Sequence, residues 1–141
     1  MKQLLLLVFL LLPLLLPLYV DAQGVPVHVQ VILASKEPGG RTDPAIASLV
    51  KELRRDFAYS SYQLLQTQSG QVAPQRPFQI SLPGGRTLSI SLLGTAGSRV
   101  DLQVITSGVN TKVNLQRGGP PFLVGGPPHG SGVLIIAISA R

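Results

Sequence analysis

Only one stretch of this sequence has the apolar spacing of an α-helix, so the rest of the chain must build the core on which that helix packs. Between Asp43 and Phe57, apolar residues recur at the three- and four-residue intervals of one helix face. Asp43 suits the N-cap, and Pro44 suits the first helical position, where no backbone N–H is needed. The apolar stripe consists of Ile46, Leu49, Val50, Leu53 and Phe57. Because a lone helix of this length is marginally stable in water, we expect the stripe to pack against a sheet.

The segments on either side of the helix have the two-residue period of strands. Residues 25–35 alternate β-branched and polar side chains, which is typical of a strand with one buried face. Residues 62–67, after the helix, also read as extended. A strand, a helix and a second strand in this order suggest a parallel crossover, which would be right-handed.

From Arg76 onward the alternation is that of an antiparallel meander. Residues 78–82 and 87–92 alternate on either side of Pro83-Gly84-Gly85-Arg86, which predicts a hairpin. Residues 133–138 are apolar at every position, which predicts a central strand covered on both faces. The predicted fold class is α+β: a mainly antiparallel sheet or two-layer sandwich of about eight strands, with one amphipathic helix on one face.

Residues 1–22 have the layout of a secretory signal peptide. Lys2 precedes an apolar run from Leu4 to Val20, and Val20-Asp21-Ala22 places small residues where signal peptidase acts. We therefore expect cleavage before Gln23, leaving residues 23–141 as a single β-rich domain. The alternative is an uncleaved N-terminal membrane anchor, although the run is short for a bilayer and contains two prolines.

The chain contains no cysteine, which limits the classes of exported protein to which it could belong. Lipid attachment at an export signal and disulfide stabilisation both need cysteine, so the core must be sufficient by itself. Neither Asn110 nor Asn114 lies in an Asn-x-Ser/Thr acceptor for N-glycosylation. These features favour a bacterial envelope protein, periplasmic or extracellular, over a eukaryotic secreted one.

The net charge is +6, which is compatible with an anionic partner. However, the densest basic cluster, Lys51, Arg54 and Arg55, is interleaved with acids on the predicted wet face of the helix. Aromatic residues are not interspersed with basic ones, so we expect no nucleic-acid partner. We expect contact with a membrane only through an uncleaved N-terminal segment. An electrostatic binder of anionic envelope polymers stays open as an alternative, and its affinity would fall with added salt.

Residues that could perform chemistry are few and scattered. His28 falls on the polar face of the first predicted strand, and His129 falls in a Gly/Pro-rich stretch. Neither histidine has the spacing of a metal site. Ser131, His129 and Asp101 could form a hydrolase-like triad, but no Gly-x-Ser-x-Gly motif supports one. We therefore expect a non-enzymatic protein with no catalytic, cofactor or metal site, and a secreted hydrolase is the alternative.

Two glycine-containing repeats remain. Pro-Gly-Gly-Arg occurs at 38–41 and at 83–86, where plain turns or backbone anion nests would both fit. Gly-Gly-Pro-Pro occurs at 118–121 and 125–128, which predicts a rim loop over 117–130 containing a short edge strand.

This rim is the segment on which we base a functional hypothesis. Edge strands offer unpaired backbone groups that a partner strand can complete. The hypothesis is a small exported binding or assembly module that engages an envelope protein. The candidate partner-binding residues are Phe122, Leu123, Val124 and His129.

Overall fold

Two four-stranded antiparallel sheets pack face to face in the computed structural model, which describes residues 24–141. The predicted α+β sandwich is therefore confirmed. The order is β2-β1-β8-β7 in sheet I and β3-β4-β5-β6 in sheet II. The strands are β1 (Val25–Ser35), β2 (Ser61–Val72), β3 (Phe78–Leu82), β4 (Arg86–Ala96), β5 (Arg99–Thr106), β6 (Val109–Gln116), β7 (Phe122–His129) and β8 (Gly132–Ala140).

The main core lies between the two sheets and is built from alternate residues of each strand. Val27, Val29 and Val31 of β1 point into it and are almost completely buried. Strand β8 is covered on both faces, because Ile136 packs into this core while Ile135 packs on the opposite side. The prediction that residues 133–138 form a central strand is confirmed.

A smaller core lies on the outer face of sheet I, under the helical segment. This segment is a 3₁₀ helix (Pro44–Leu49) that continues into α1 (Val50–Asp56). Ile46, Leu49 and Leu53 are buried against the outer side chains of β1 and β8, while Val50 and Phe57 are half-buried. The helix is therefore a third layer over part of sheet I.

Asp43 connects this helical segment to the sheet. Its Oδ1 accepts a hydrogen bond from the Ala45 N–H at 3.0 Å, which confirms the predicted N-cap. Its Oδ2 accepts one from the Leu64 N–H at 3.4 Å, so the same carboxylate also holds β2. One side chain thus fixes where the helix begins relative to the sheet.

The predicted parallel crossover is wrong, because β1 and β2 are antiparallel neighbours with Ser35 opposite Ser61. A parallel return must carry the chain back along the whole of β1, which at 11 residues is about 36 Å long. The helical segment, Pro44–Asp56, covers only about 20 Å at the rise of an α-helix. The chain therefore folds over one end of the sheet and re-enters beside β1 in the opposite direction.

Two further points concern the membrane. Within residues 24–141, no helix combines the length and the apolar character that crossing a bilayer requires. The predicted signal peptide, residues 1–22, lies outside the described residues. Secretion and location therefore stay predictions.

Candidate functional site

The four candidate partner-binding residues all lie on β7, which is an edge strand of sheet I. Residues 122–129 form one strand of eight residues, longer than the short edge strand expected within a rim loop. The second Gly-Gly-Pro-Pro sequence is inside it. Proline is tolerated there because one side of the strand has no partner and because the register shifts between Gly125 and Pro128.

Only part of the β7 edge has free backbone groups. In an antiparallel ladder, alternate residues direct both N–H and C=O to the same neighbour. The carbonyl of Ala140 on β8 faces the β7 side, where it accepts from the Gly118 N–H at 2.9 Å. The backbone groups of Ile138 and Ile136 point to the same side as those of Ala140, so their partners Phe122 and Val124 bond to β8. The backbone groups of Leu123 and Gly125 therefore point away from β8.

The three apolar candidates on β7 have different surroundings. Phe122 lies opposite Ile138 and is 42% exposed, one of the few large apolar side chains in the described chain that reach solvent. Leu123 is half-buried and packs against the smaller core under the helix. Val124 is only 6% exposed and belongs to the main core. Phe122 is therefore the side chain of this group that a partner could cover.

His129, at the other end of β7, lies where the two sheets are tied together. A Cβ placed on Gly84 would be 3.5 Å from Nδ1 of His129, so the β3–β4 turn packs against the imidazole ring. Arg86 Nη1 donates a hydrogen bond to the Pro128 carbonyl oxygen at 2.5 Å. This bond occupies an outward-facing backbone group of β7, so the free part of the edge is confined to Leu123–Gly125.

The two Pro-Gly-Gly-Arg sequences form turns in which both glycines have positive φ, between 57° and 102°. In the second turn the arginine side chain makes the bond to Pro128. In the first turn the Arg41 carbonyl accepts from the Tyr62 N–H at 2.8 Å and from the Ser61 hydroxyl at 3.0 Å. Both turns therefore serve to hold neighbouring strands.

The polar residues considered for chemistry form no common hydrogen-bonded group within the described residues. His28 Nδ1 lies 2.8 Å from Ser69 Oγ, across β1 and β2 on the outer face of sheet I. Asp101 is held by Arg99 at 3.0 Å on sheet II, and this side-chain hydrogen bond raises the pKa of Arg99. Within residues 24–141, no hydrogen bond joins His129, Ser131 and Asp101, and no three metal-ligating side chains cluster.

Two shallow clefts accompany these features. One, of about 370 Å³, lies beside the helix cap between Glu37, Arg41 and Gln63. The other, of about 320 Å³, lies between Leu93 and Arg117. Neither of these two clefts includes a residue of β7 or a histidine.

Comparisons of the chain with protein-family models, with curated proteins and with solved structures find no match.

The edge strands are the feature of this site that the sequence predicts least well. The sequence predicts an edge at 122–124 but does not indicate that β2 is the opposite edge of the same sheet. Alternation identifies a strand, but it carries no signal for which neighbours that strand has.

Proposed function

We propose that this chain is a small exported binding module, with no chemistry of its own, that holds an extended segment of an envelope protein against the free part of β7. The observation that carries the proposal is the pair of outward-facing backbone positions, Leu123 and Gly125, next to the exposed Phe122 ring. The backbone of a partner strand could bond to Leu123 and Gly125, and its side chains could cover the Phe122 ring, as in other β-strand additions.

The construction of β7 favours binding because the edge is rigid before a partner arrives. Arg86 fixes one end through the Pro128 carbonyl, and Pro127 and Pro128 limit backbone rotation. A Cβ on Gly126 would lie 2.9 Å from the carbonyl oxygen of Leu134, so only glycine fits there without a shift. A preformed edge loses little conformational entropy on binding.

Photocrosslinking tests whether Phe122 is covered by another protein. We would replace Phe122 with the photoreactive analogue benzoylphenylalanine in cells that express the full chain. The matched control carries the analogue in place of Ile105, a 43% exposed side chain on sheet II. We expect one crosslinked envelope protein from position 122 and none from position 105. Equal labelling from both positions, or none from either, would refute the proposal.

The contribution of the ring is tested on the protein identified in this way. Phe122→Ala should weaken the binding of that protein by about tenfold or more, as expected for an aromatic anchor, while Ile105→Ala should leave its binding unchanged.

Export is tested separately by mass spectrometry of the recovered chain. An N-terminus at Gln23 would support export, and intact residues 1–22 on cytosolic protein would contradict it.

A further inference from the structure

We propose that β2, the opposite edge of sheet I, is a self-association edge through which two copies of this chain pair β2 against β2 about a two-fold axis. The proposal is independent of the partner of β7. It rests on three observations: the absence of any protective residue on β2, the direction of its free backbone groups, and the chemistry of its side chains.

The other three edge strands carry features that discourage strand addition. Strand β3 is only five residues long, β6 has Lys112 at its centre, and prolines at 127 and 128 limit strand addition on β7 to its short free part, Leu123–Gly125. Strand β2 has 12 residues without a charge or a proline, and its register shift, opposite Val31 and Ile32 of β1, comes before its second half. Since a long, uncharged edge invites pairing, β2 is the edge in the described chain on which a second strand fits with least resistance.

The free part of β2 is its second half. At the beginning of the strand, Tyr62 accepts from the Asp43 N–H and donates to the Arg41 carbonyl, so this part of the edge is already occupied. Further along, the Pro26 carbonyl of β1 bonds to the Arg141 N–H on the β8 side, which fixes the direction of the β1 backbone groups. The residues paired with Gln30, His28 and Pro26 on β2 therefore direct their backbone groups outward. These residues are Thr67, Ser69 and Gln71, and all three are exposed.

These three positions specify one register for the pair. An antiparallel two-fold arrangement puts Ser69 opposite Ser69 of the second copy and Thr67 opposite Gln71. Every outward N–H and C=O over Thr67–Gln71 then meets a partner, because all three pairs are of the hydrogen-bonded type. The arrangement is isologous and closes at two copies.

Charge and side-chain chemistry favour a second copy as the occupant. Each chain carries +6, so two copies meet with least repulsion where no lysine or arginine is present. Of the polar side chains over residues 66–71, Gln66 is bonded to the Ser81 carbonyl and Ser69 to His28. The side chains of Thr67, Gln68 and Gln71 make no hydrogen bond within residues 24–141, and each can both donate and accept. A strand with such side chains is complementary to itself.

Because the chain has no cysteine, engineered cysteines can test the register in the full chain. Cα atoms in a hydrogen-bonded antiparallel pair are about 5.5 Å apart, within the range of a disulfide. We expect Ser69→Cys to form disulfide-linked dimers under mild oxidation more than about tenfold faster than Asn114→Cys on the β6 edge, since pairing holds the thiols at high effective concentration. Thr67→Cys alone should not crosslink, because the two copies of position 67 would be about 14 Å apart.

A mixture of Thr67→Cys and Gln71→Cys chains should crosslink as heterodimers, which checks the register directly. Adding Thr67→Pro to the Ser69→Cys chain should abolish the crosslink while circular dichroism stays unchanged, because the lost N–H faces outward. Equal rates for Ser69→Cys and Asn114→Cys would overturn the proposal. So would a Ser69→Cys crosslink to a protein of different mass, or a crosslink of Thr67→Cys to itself.

Discussion

The hydroxyl group of Tyr62 should be the main attachment between β2 and the end of the helix, and Tyr62→Phe tests this. The side chain is 1% exposed and lies under α1. Its hydroxyl group donates toward two carbonyl oxygens, Phe57 at 2.9 Å and Leu53 at 3.1 Å. Carbonyl groups at the C-terminus of a helix have no intrahelical partner, so the tyrosine completes this end of α1.

The magnitude follows from which carbonyl loses its partner. Leu53 keeps its bond to the Phe57 N–H at 2.9 Å, whereas the Phe57 carbonyl has no other bond within the described residues. One hydrogen bond is then lost and one part-buried acceptor is left unpaired, while the ring still fills its space. We expect the free energy of unfolding to fall by about 1–2 kcal/mol.

Urea denaturation of wild type, Tyr62→Phe and Tyr59→Phe measures this loss. Tyr59 is the matched control, because it is half-buried beside the same cluster and its hydroxyl group makes no hydrogen bond in the described structure. Its substitution should change stability by less than about 0.5 kcal/mol. Equal effects of the two substitutions would refute the assignment of the Tyr62 hydroxyl group as a helix attachment.

The same hydroxyl group should make stability depend on alkaline pH. Burial raises the pKa of Tyr62 above its ordinary value of about 10. The folded state therefore holds this proton more tightly than the unfolded state does. The stabilisation is complete below about pH 10 and declines as the pH rises through the folded-state pKa. Tyr62→Phe should remove this part of the alkaline decline, as measured by thermal unfolding between pH 8 and about pH 11.

Two further substitutions test the packing. Leu53→Ala should lower the free energy of unfolding by about 2–5 kcal/mol, because Leu53 is fully buried under the helix. Leu93→Ala, at a 48% exposed position, should cost far less. Similar losses for the two variants in urea denaturation would contradict the described position of the helix. Gly132→Ala should cost about 1–3 kcal/mol or more, because its Cβ would overlap the Ala34 carbonyl, whereas Gly94→Ala meets no atom within 4 Å. Indistinguishable melting temperatures for the two alanine variants would show that this close approach does not exist.

Local patterns predicted the local structure well. The Asp43 cap, the hairpin around Gly84 and Gly85, and the buried strand over 133–138 each depend on residues close together in sequence. One refinement concerns the helix, which begins as a 3₁₀ helix and has non-helical φ and ψ at Ile46. The sequence shows no glycine or second proline at this point to indicate the change.

What the sequence could not predict is how distant segments pair. The direction of β2 depends on the path of residues 36–60 over one end of the sheet, which periodicity does not record. The extension of β7 through Pro127 and Pro128 depends on its being an edge and on a bulge, both of which are tertiary features. The free edge of β2 is a tertiary feature of the same kind, so the alternation of its residues does not predict it.

The pairing of β1 with β8 at the centre of sheet I determines when folding can finish. Val27 lies opposite Ala140, so the central ladder joins residues from the two ends of the described chain. Sheets with such long-range pairing fold slowly, because distant segments must meet before the ladder gains hydrogen bonds. No partial product of translation that lacks β8 can complete either core. Until β8 has been synthesised, the chain should thus lack both complete cores and be able to pass as an extended polypeptide through a narrow channel.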